Sequence, residues 1–548
     1  MSPVRLPACL LLVLILMSSA SAKPAIQTEN SRGGINRTAA GSTESLLLDD
    51  SSYIANSNLL MFVSNTGILA RDLVGVFGYD AGLFYPYTGA DDIIDGTNRS
   101  AALFSAGLWI GGKVNDSLRV SMSQYGSEYW PGPMVGGTFD ATAATDPDYR
   151  VYRLYADSLG ANPNQDYLDW PVGQGAPVDG SGNPTIRGRE LTWTVFNDAN
   201  PATHTVLGGE TQPIGIEVQQ TIWAPDEAGQ EATLFIQYIL HNRGGNTVDS
   251  CFVSFWADPD LGWAEDDLIG CDSSDNLMFV YNADNDDQGV GNYGSTPPSL
   301  GIKLVHGPLT PAPGDTAQFD RTLIPDHRNL PSYAIVRYLT GTDPETADSS
   351  WNLMRGRTLD DELAYDPVAD DSTRFWYGGD PVGGTGWTDD FAADKIMMMT
   401  TGPFTFTPGD SQYVLFKLSL ARGVDRLESV QFMRATINSS DGFPTDIDDD
   451  PSEPLPTTHR LHQNYPNPFN PGTTIPFALS QQSHVHLAVY NLLGQQVTVL
   501  IDRILPAGSH TVRWDGLTVN GQRVASGIYL YRLTTEHDAE ARKMILLK

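Results

Sequence analysis

The sequence predicts an all-β protein, with a large β-sandwich region followed by a small C-terminal immunoglobulin-like β-sandwich. Its 548 residues include 53 Gly and 36 Pro, above the usual share of about 12% for the two together, which disfavours a helical bundle. Hydrophobic residues make up 41%, which is too many for a disordered chain. Short segments that alternate apolar and polar residues recur between turn signals, and this period of two is typical of strands.

The N-terminus has the three parts of a secretory signal peptide. Arg5 precedes an apolar run from Leu6 to Met17, and the small residues Ala20-Ser21-Ala22 follow. We expect residues 1–22 to be removed by cleavage after Ala22. No later segment approaches the roughly 18 to 20 apolar residues of a membrane helix, so the sequence predicts an exported protein that does not span a membrane.

The chain is strongly acidic. Lys and Arg number 33 against 66 Asp and Glu, a formal net charge of −33. This charge excludes nucleic acid and anionic lipid as partners, because both are bound by neutralising phosphate with Lys and Arg. Alternatively, an acidic surface keeps a protein soluble in salty water and says nothing about a ligand.

Residues 23–55 are polar and aperiodic, and we expect a disordered tether. Residues 56–438 are predicted to form a large β-rich domain of unknown function, in which segments such as 214–223 and 233–240 are half-buried strands. Hairpin turns are predicted at 179–182, 242–245, 313–315 and 408–410.

One helix is predicted at the end of the large domain. Asp425 and Glu428 give a capping signal, and an apolar stripe follows at helical spacing, formed by Leu427, Val430, Met433 and Ile437. The next segment, 439–460, is acidic and Pro-rich and is predicted to be a linker.

The last part of the chain, 461–548, contains about seven short strand segments, which is typical of an immunoglobulin-like sandwich. Its motifs are Asn464-Tyr465-Pro466-Asn467-Pro468-Phe469-Asn470-Pro471, Val489-Tyr490-Asn491-Leu492-Leu493-Gly494-Gln495, Trp514-Asp515-Gly516, Ala525-Ser526-Gly527-Ile528-Tyr529 and Lys543-Met544-Ile545-Leu546-Leu547-Lys548. In these motifs the region resembles the type A C-terminal sorting domain of the type IX secretion system.

The resemblance implies that this region is a sorting signal that directs export of the protein. The residues that carry it are Asn464, Pro466, Asn467, Pro468, Phe469, Asn470, Pro471, Gly494, Trp514, Asp515, Gly516, Gly527, Tyr529, Lys543 and Lys548. In that family the cargo reaches the periplasm by its signal peptide, and the outer-membrane translocon reads the folded C-terminal domain. A surface protease commonly removes the domain, leaving the cargo secreted or on the cell surface.

Two further resemblances accompany this one. The C-terminal sandwich is similar to the Ig-like domain of flagellar hook-capping proteins, so an Ig-like stalk without a sorting role is the alternative. The large domain resembles other uncharacterised exported proteins with the same sorting domain, through segments such as 106–113 and 257–262. That resemblance implies no chemistry.

The strongest chemical feature is a run of acids between residues 258 and 287. It comprises Asp258, Asp260, Asp266, Asp267, Asp272, Asp275, Asp284, Asp286 and Asp287. Calcium takes six to eight oxygens from such loops, and we select Asp258, Asp260, Asp284 and Asp286 as candidate ligands. Residues 284–289 depart from an EF-hand loop at Gln288, so an irregular calcium site and a solvated acidic loop are the two interpretations.

The same acids permit a second function. Two carboxylates across a cleft can hydrolyse a glycosidic bond, and Asp260, Glu265 and Asp266 are candidates. The nearby aromatics Trp256, Trp263, Tyr281 and Tyr293 either stack on sugars or pack internally, and packing is the expected role. No catalytic signature stands out, so we favour a binding or structural module that holds polysaccharide or a neighbouring surface component over a glycan-active hydrolase.

Two cysteines remain after removal of the signal peptide. A bond between Cys251 and Cys271 would stabilise an exported protein by roughly 3 kcal/mol. Two buried free thiols are the alternative.

Overall fold

The structure is a computed structural model. It describes residues 50–73, 82–87, 100–156, 163–204, 207, 210–288, 293–439, 460–461, 464, 473–480, 483–491, 494–505, 508–514, 516–518, 523–535 and 539–546. All of these lie in one compact unit, Leu47–Lys548. The predicted cleavage residues Ala20 and Ala22 and most of the predicted tether and linker lie outside the described residues.

The strands of the large domain are, in chain order, β1 (Ser51–Asn56), β2 (Leu59–Ser64), β3 (Leu83–Phe84), β4 (Ala101–Leu103), β5 (Ser105–Val114), β6 (Ser117–Met122), β7 (Trp130–Pro131), β8 (Tyr152–Tyr155), β9 (Glu190–Asn197), β10 (Ile216–Ala224), β11 (Thr233–Asn242), β12 (Val248–Asp258), β13 (Asp267–Asp272), β14 (Leu277–Asn282), β15 (Ser299–His306), β16 (Leu309–Phe319), β17 (Thr322–Asn329), β18 (Ser332–Leu339), β19 (Ala364–Asp366), β20 (Asp371–Thr373), β21 (Lys395–Phe406) and β22 (Ser411–Ala421). The α-helices are Gln165–Leu168, Ala347–Met354 and Arg426–Ile437, and single 3-10 turns occur at Ala143–Thr145, Val172–Gln174, Ala264–Asp266 and Ser273–Asp275.

Two sheets dominate the large domain. A nine-stranded sheet has the order β13-β14-β15-β22-β11-β10-β9-β7, with β8 also paired to β9, and a five-stranded sheet has the order β18-β21-β12-β5-β6. A four-stranded sheet β1-β2-β3-β4 and the hairpins β16-β17 and β19-β20 complete it. The pairs formed by these strands are antiparallel, as the hairpin signals predicted, so the all-β sandwich-type fold class is confirmed.

The central strands are buried on both faces. In β12, Val253 and Phe255 belong to the core between the two large sheets, whereas Trp256 belongs to a separate cluster on the opposite face. In β22, Phe416 belongs to the core between the two large sheets, and Tyr413 belongs to another cluster on the opposite face. The prediction of half-buried strands is therefore wrong for 214–223 and 233–240, because a second layer of aromatic side chains covers the outer face.

Three local predictions have clear outcomes. Asp425 caps the helix Arg426–Ile437 by accepting bonds from Leu427 N and Glu428 N at 2.9 and 2.8 Å. The large domain begins earlier than expected, because β1 occupies the end of the predicted tether. Residues 313–315 lie inside β16 at a register shift rather than in a hairpin turn, so that turn prediction is wrong.

The C-terminal region forms its own sandwich. Its strands are β23 (Arg460–Leu461), β24 (Thr473–Leu479), β25 (Ser483–Asn491), β26 (Gln496–Leu505), β27 (Gly508–Trp514), β28 (Gly527–Thr534) and β29 (Ala539–Leu546). They pair as a sheet β23-β24-β27 and a sheet β26-β25-β28-β29. Apolar side chains from both sheets share one core, and the seven strands agree with the number of short strand segments predicted from sequence.

Candidate functional site

Three carboxylates converge at one end of the five-stranded sheet. Asp258 is the last residue of β12, Asp260 follows it, and Asp394 immediately precedes β21. One carboxylate oxygen from each lies within 4.8 Å of the other two. The register between β12 and β21, in which Ala257 faces Met397, explains this meeting, because it brings the end of one strand to the start of the other.

Asp258 is the most constrained member of this cluster. Its side chain is 4% exposed, and Tyr125 OH donates to its Oδ2 at 2.8 Å. Its Oδ1 is buried and has no hydrogen-bond partner among the described residues. Burial, and then the neighbouring charges of Asp260 and Asp394, hold the pKa of Asp258 well above its usual range. The described groups that act on this carboxyl group are acidic or neutral, so none of them balances its negative charge.

This donor set fits a hard divalent cation. Calcium prefers carboxylate and other oxygen ligands, and a buried carboxylate oxygen without a partner is costly unless something neutralises it. Sequence analysis found Asp258 and Asp260 but missed Asp394, which lies far along the chain. The signal that was available is the short acidic segment Asp389-Asp390 to Asp394 just before a strongly apolar strand.

The other two predicted ligands lie elsewhere. Asp284 and Asp286 are on an exposed loop after β14, where Asp284 Oδ1 accepts a bond from Asp286 N at 2.8 Å. Gln288 Nε2 donates to Asp286 at 3.2 Å. These two acids are not part of the converging group.

Several remaining acids of the run hold the structure together. Asp272 forms two bonds with Arg434, at 2.7 and 2.8 Å, which join β13 to the helix Arg426–Ile437. Asp267 accepts Leu261 N at 3.0 Å, and Asp287 accepts Trp263 N at 3.0 Å. These carboxylates fix the loops in which they stand.

The residues considered for glycoside hydrolysis divide into two groups. Trp256, Tyr281 and Tyr293 are at most 5% exposed and belong to the cores, so they pack internally as expected. Trp263 is 46% exposed and directly precedes the 3-10 turn that contains Glu265 and Asp266. Burial, followed by the charge of Asp287, raises the pKa of Asp266 to about 7.

Cys251 and Cys271 are both buried free thiols. Cys251 is in β12 of the five-stranded sheet and Cys271 is in β13 of the nine-stranded sheet. The structure thus corresponds to the second of the two alternatives, in which both thiols are free. Burial raises the pKa of each thiol above its usual value, which disfavours the reactive thiolate.

A separate cavity of about 290 Å³ lies beside β18 and the β19-β20 hairpin. Arg355, Arg357 and Arg374 line it, which is unusual in a chain of net charge −33. Sequence analysis missed this group. The closely spaced Arg355-Gly356-Arg357 was the signal that could have indicated it.

The C-terminal motif residues serve as caps, turns and core. Asn464 N donates to Tyr531 OH at 2.8 Å, and its side chain bonds to Thr473 at 2.9 Å. Trp514 donates to Leu517 O at 2.9 Å and packs against Tyr529 with ring centroids 5.3 Å apart. This network closes one end of the sandwich.

The other described motif residues have simpler roles. Gly494 and Gly516 adopt positive φ of 78° and 68°, as a tight turn requires. Gly527 begins β28, and Lys543 is exposed on β29. The motif residues Pro466, Asn467, Pro468, Phe469, Asn470, Pro471, Asp515 and Lys548 lie outside the described residues.

These features define a mostly β protein with a separate C-terminal module. Residues 463–547 match the model of the secretion system C-terminal sorting domain. The chain thus carries a type IX sorting tail, which indicates delivery to the cell surface or the extracellular space through interaction with type IX secretion machinery. Among the described residues, the structure contains no helix with the length and apolar character needed to cross a membrane.

Similar solved structures are remote. They include a polysaccharide lyase (8% identity, 60% of this chain and 34% of that chain, TM-score 0.16), and the adhesin domain of Epf from Streptococcus pyogenes (8%, 60% and 79%, 0.13). Latent PorU from Porphyromonas gingivalis is a third (12%, 66% and 32%, 0.15). The chain spans only about a third of the lyase and of PorU, and TM-scores this low support no argument about fold or function. No curated protein sequence matches this chain.

Proposed function

We propose that this protein crosses the outer membrane through the type IX translocon and that its large β domain then holds polysaccharide or a neighbouring surface component. The single observation that carries the export half is the match of residues 463–547 to the sorting-domain model. In this proposal the signal peptide is cleaved after Ala22, the translocon reads the C-terminal domain, and a surface protease removes it. The likenesses to hook-capping Ig-like domains and to uncharacterised exported proteins remain resemblances of sequence.

Deletion of residues 461–548 tests the export half. The truncated chain is expected to accumulate in the periplasm, measured by cell fractionation and by protease accessibility on intact cells. Arg328→Gln, a change at an exposed residue of β17, is the matched control and should leave display unchanged. Normal surface display of the truncated chain would contradict the proposal.

Support for binding rather than catalysis comes from the roles of the acids. Asp267, Asp272 and Asp287 are tied to backbone N–H groups or to a guanidinium, so they stabilise loops on a rigid β scaffold. Loops positioned in this way commonly carry recognition surfaces. The candidate sugar-stacking aromatics are mostly core residues, which leaves Trp263 as the exposed one of the four.

Calcium is part of the proposal. Asp258, Asp260 and Asp394 would hold the ion, which would bring positive charge to the buried carboxylate of Asp258. The support is the buried, unpartnered Oδ1 of Asp258 together with an all-oxygen donor set. The ion would fix the ends of β12 and β21 and thereby the loops beyond them.

A glycan-active hydrolase is the second candidate. It is favoured by Asp266, whose pKa of about 7 suits a general acid, and by the exposed Trp263 nearby. Paired with a second carboxylate such as Asp260, it would protonate a leaving glycosidic oxygen.

One experiment separates these functions. The mature full chain is passed over a polysaccharide panel with calcium present or chelated, and both retention and released reducing ends are recorded. Retention without release supports the binding module. Released sugar that is abolished by Asp266→Asn makes the protein a hydrolase, and retention by no glycan contradicts polysaccharide binding in favour of a structural role.

A further inference from the structure

The arginine-lined cavity is formed by segments that are fixed in place. The helix Ala347–Met354 ends next to Arg355, and the strand β20 ends next to Arg374. Ile335 N in β18 donates to Arg374 O at 2.9 Å, which ties the hairpin to the five-stranded sheet. Gly356 stands between Arg355 and Arg357, and a Cβ there would come within 2.7 Å of Arg374 Cβ. The close packing of the Arg374 side-chain stem against this segment thus depends on the glycine.

Arg374 is available to a ligand. Its guanidinium stacks over the Tyr333 ring, with the central carbon 3.9 Å from the ring centroid, and it has no hydrogen bond or ion pair with another described residue. The stacking holds the planar donor group in one orientation. Ser372, also in the lining, is exposed and adds a hydroxyl.

The other two arginines share one acidic partner, Asp361. Arg355 also donates to Asn352 Oδ1 at 2.5 Å, and Arg357 also donates to Asp361 O at 2.8 Å. Arg355 and Arg357 lie 3.0 and 3.4 Å from Asp361 Oδ1, and Asp361 is 56% exposed. Exposed ion pairs of this kind contribute only about 0–1 kcal/mol, so an incoming anion can compete with Asp361. The Nε of Arg355 is buried without a partner among the described residues. The lining contains three guanidinium groups, and Asp361 is the one carboxylate paired with them, so the cavity has a local positive charge.

The size and surroundings of the cavity restrict the ligand. Its volume of about 290 Å³ is at the small end of the roughly 300–1,000 Å³ of ligand sites, which suits one ring-sized group. Leu363 in the lining is 39% exposed and offers an apolar contact. The net charge of −33 repels a densely charged polymer, because many of its charges would lie close to the acidic surface at once. Charges beyond about 8 Å are screened at physiological salt, so a single anionic group responds mainly to the arginines.

We propose that this cavity binds one carboxylate- or sulfate-bearing sugar unit of a sparsely charged polysaccharide, with Arg374, Arg355 and Arg357 holding the anionic group. Guanidinium groups bind carboxylate and sulfate oxygens through paired charge-assisted hydrogen bonds. The inference rests on the proposed binding function and specifies its ligand class. It is independent of the calcium cluster.

Calorimetric titration of the mature full chain tests the proposal. The probes are methyl glucuronoside, its methyl ester, glucose 6-sulfate, inorganic sulfate and heparin. We expect one or both charged sugars to bind, and the uncharged ester to bind about tenfold or more weakly than methyl glucuronoside. Which of the two charged sugars binds more tightly distinguishes a carboxylate from a sulfate ligand.

Variants give opposite effects at the same site. Arg374→Gln should weaken binding about tenfold or more, with partial rescue by Arg374→Lys. Asp361→Asn should tighten binding about threefold by releasing Arg355 and Arg357, and Asn tolerates the positive φ of 65° at this position. Arg328→Gln is the matched control and should change nothing. Because Asp361 is exposed, its variant separates loss of binding from loss of folding.

Four results would overturn the inference. They are binding of neither charged sugar, unchanged affinity in both Arg374→Gln and Asp361→Asn, inorganic sulfate binding as tightly as the sulfated sugar, and heparin binding far more tightly than either small probe. If panel polysaccharides are still retained by Arg374→Gln as well as by the unmodified chain, the proposed binding function stands and this site alone is wrong.

Discussion

The C-terminal sandwich and the large β domain carry their functional information differently. In the C-terminal sandwich, the residues that identify it stand in short contiguous motifs, and the fold packs two of them, Trp514 and Tyr529, against each other. In the large domain, the acidic cluster joins Asp258 to Asp394 across two strands that are distant in sequence. A delivery signal can therefore be read from local sequence, whereas the candidate binding sites exist only after folding.

The largest expected effect is a loss of stability in the C-terminal domain alone. Trp514 is 3% exposed in the C-terminal core, so Trp514→Ala should destabilise that domain by about 3–5 kcal/mol. Differential scanning calorimetry should show one transition lowered and the transition of the large domain unchanged. Trp263→Ala, at an exposed tryptophan of the large domain, is the control. Equal loss in both transitions would show that the domains do not unfold independently.

The next effect tests the calcium cluster. At calcium concentrations a hundredfold above the dissociation constant, binding should stabilise the large domain by about 2.7 kcal/mol. Asp394→Asn should abolish this increment, because it removes one of the three converging carboxylates. Asp284→Asn should retain it, since Asp284 lies on a separate exposed loop. The reverse pattern in thermal melts with and without calcium would favour the ligand set predicted from sequence.

A smaller effect is expected at the arginine cavity. Gly356 has a φ of +79°, and a Cβ would lie 2.7 Å from Arg374 Cβ. Gly356→Ala should therefore cost about 1–3 kcal/mol of large-domain stability and displace Arg374. Gly341→Ala, at a position with φ +81° and open space around the added Cβ, separates backbone strain from steric crowding. If urea denaturation shows an equal loss of unfolding free energy in the two variants, close packing against Arg374 does not explain the effect at Gly356.

The last prediction concerns the pH dependence of stability. Glu128 is fully buried, and burial, opposed by a bond from Met122 N, raises the pKa of Glu128 from 4.5 to about 8. His204 and Asp198 also face it. Between pH 4.5 and 8 the folded state keeps the proton on Glu128, whereas the unfolded state releases it. The contribution of Glu128 to the free energy of unfolding therefore falls as pH rises, by at most about 1.4 kcal/mol per pH unit.

The isosteric variant tests this sign. Glu128→Gln cannot release a proton, so its free energy of unfolding should decline less between pH 5 and 8 than that of the unmodified chain. Urea titrations at several pH values provide the measurement. Parallel pH profiles for the two proteins would contradict the assignment to Glu128.

Sequence reasoning succeeded where the determinant is local. The helix capped by Asp425 and the strands of the C-terminal sandwich follow from residues a few positions apart. It failed where a second layer intervened, because Trp193 and Trp223 bury the outer face of strands whose alternation indicated an exposed face. A period of two reports the pleat of a strand and not what covers each side of it.

The candidate sites also contain residues that are close in sequence and residues that only the fold brings together. Asp258 and Asp260 were found because they stand in one acidic run, and that density also drew in Asp284 and Asp286. Asp394 could not be placed beside them without the β12-β21 register. Arg374 likewise reaches Arg355 only through the hairpin that returns to β18.

Transplantation of residues 461–548 tests the central claim most directly. The segment is attached to a periplasmic reporter enzyme that carries its own signal peptide, in a host with a type IX secretion system. Because the C-terminal domain contains the sorting signal, we predict that the reporter becomes accessible on the outside of intact cells. A reporter that stays in the periplasm while the native full chain reaches the surface would contradict the account.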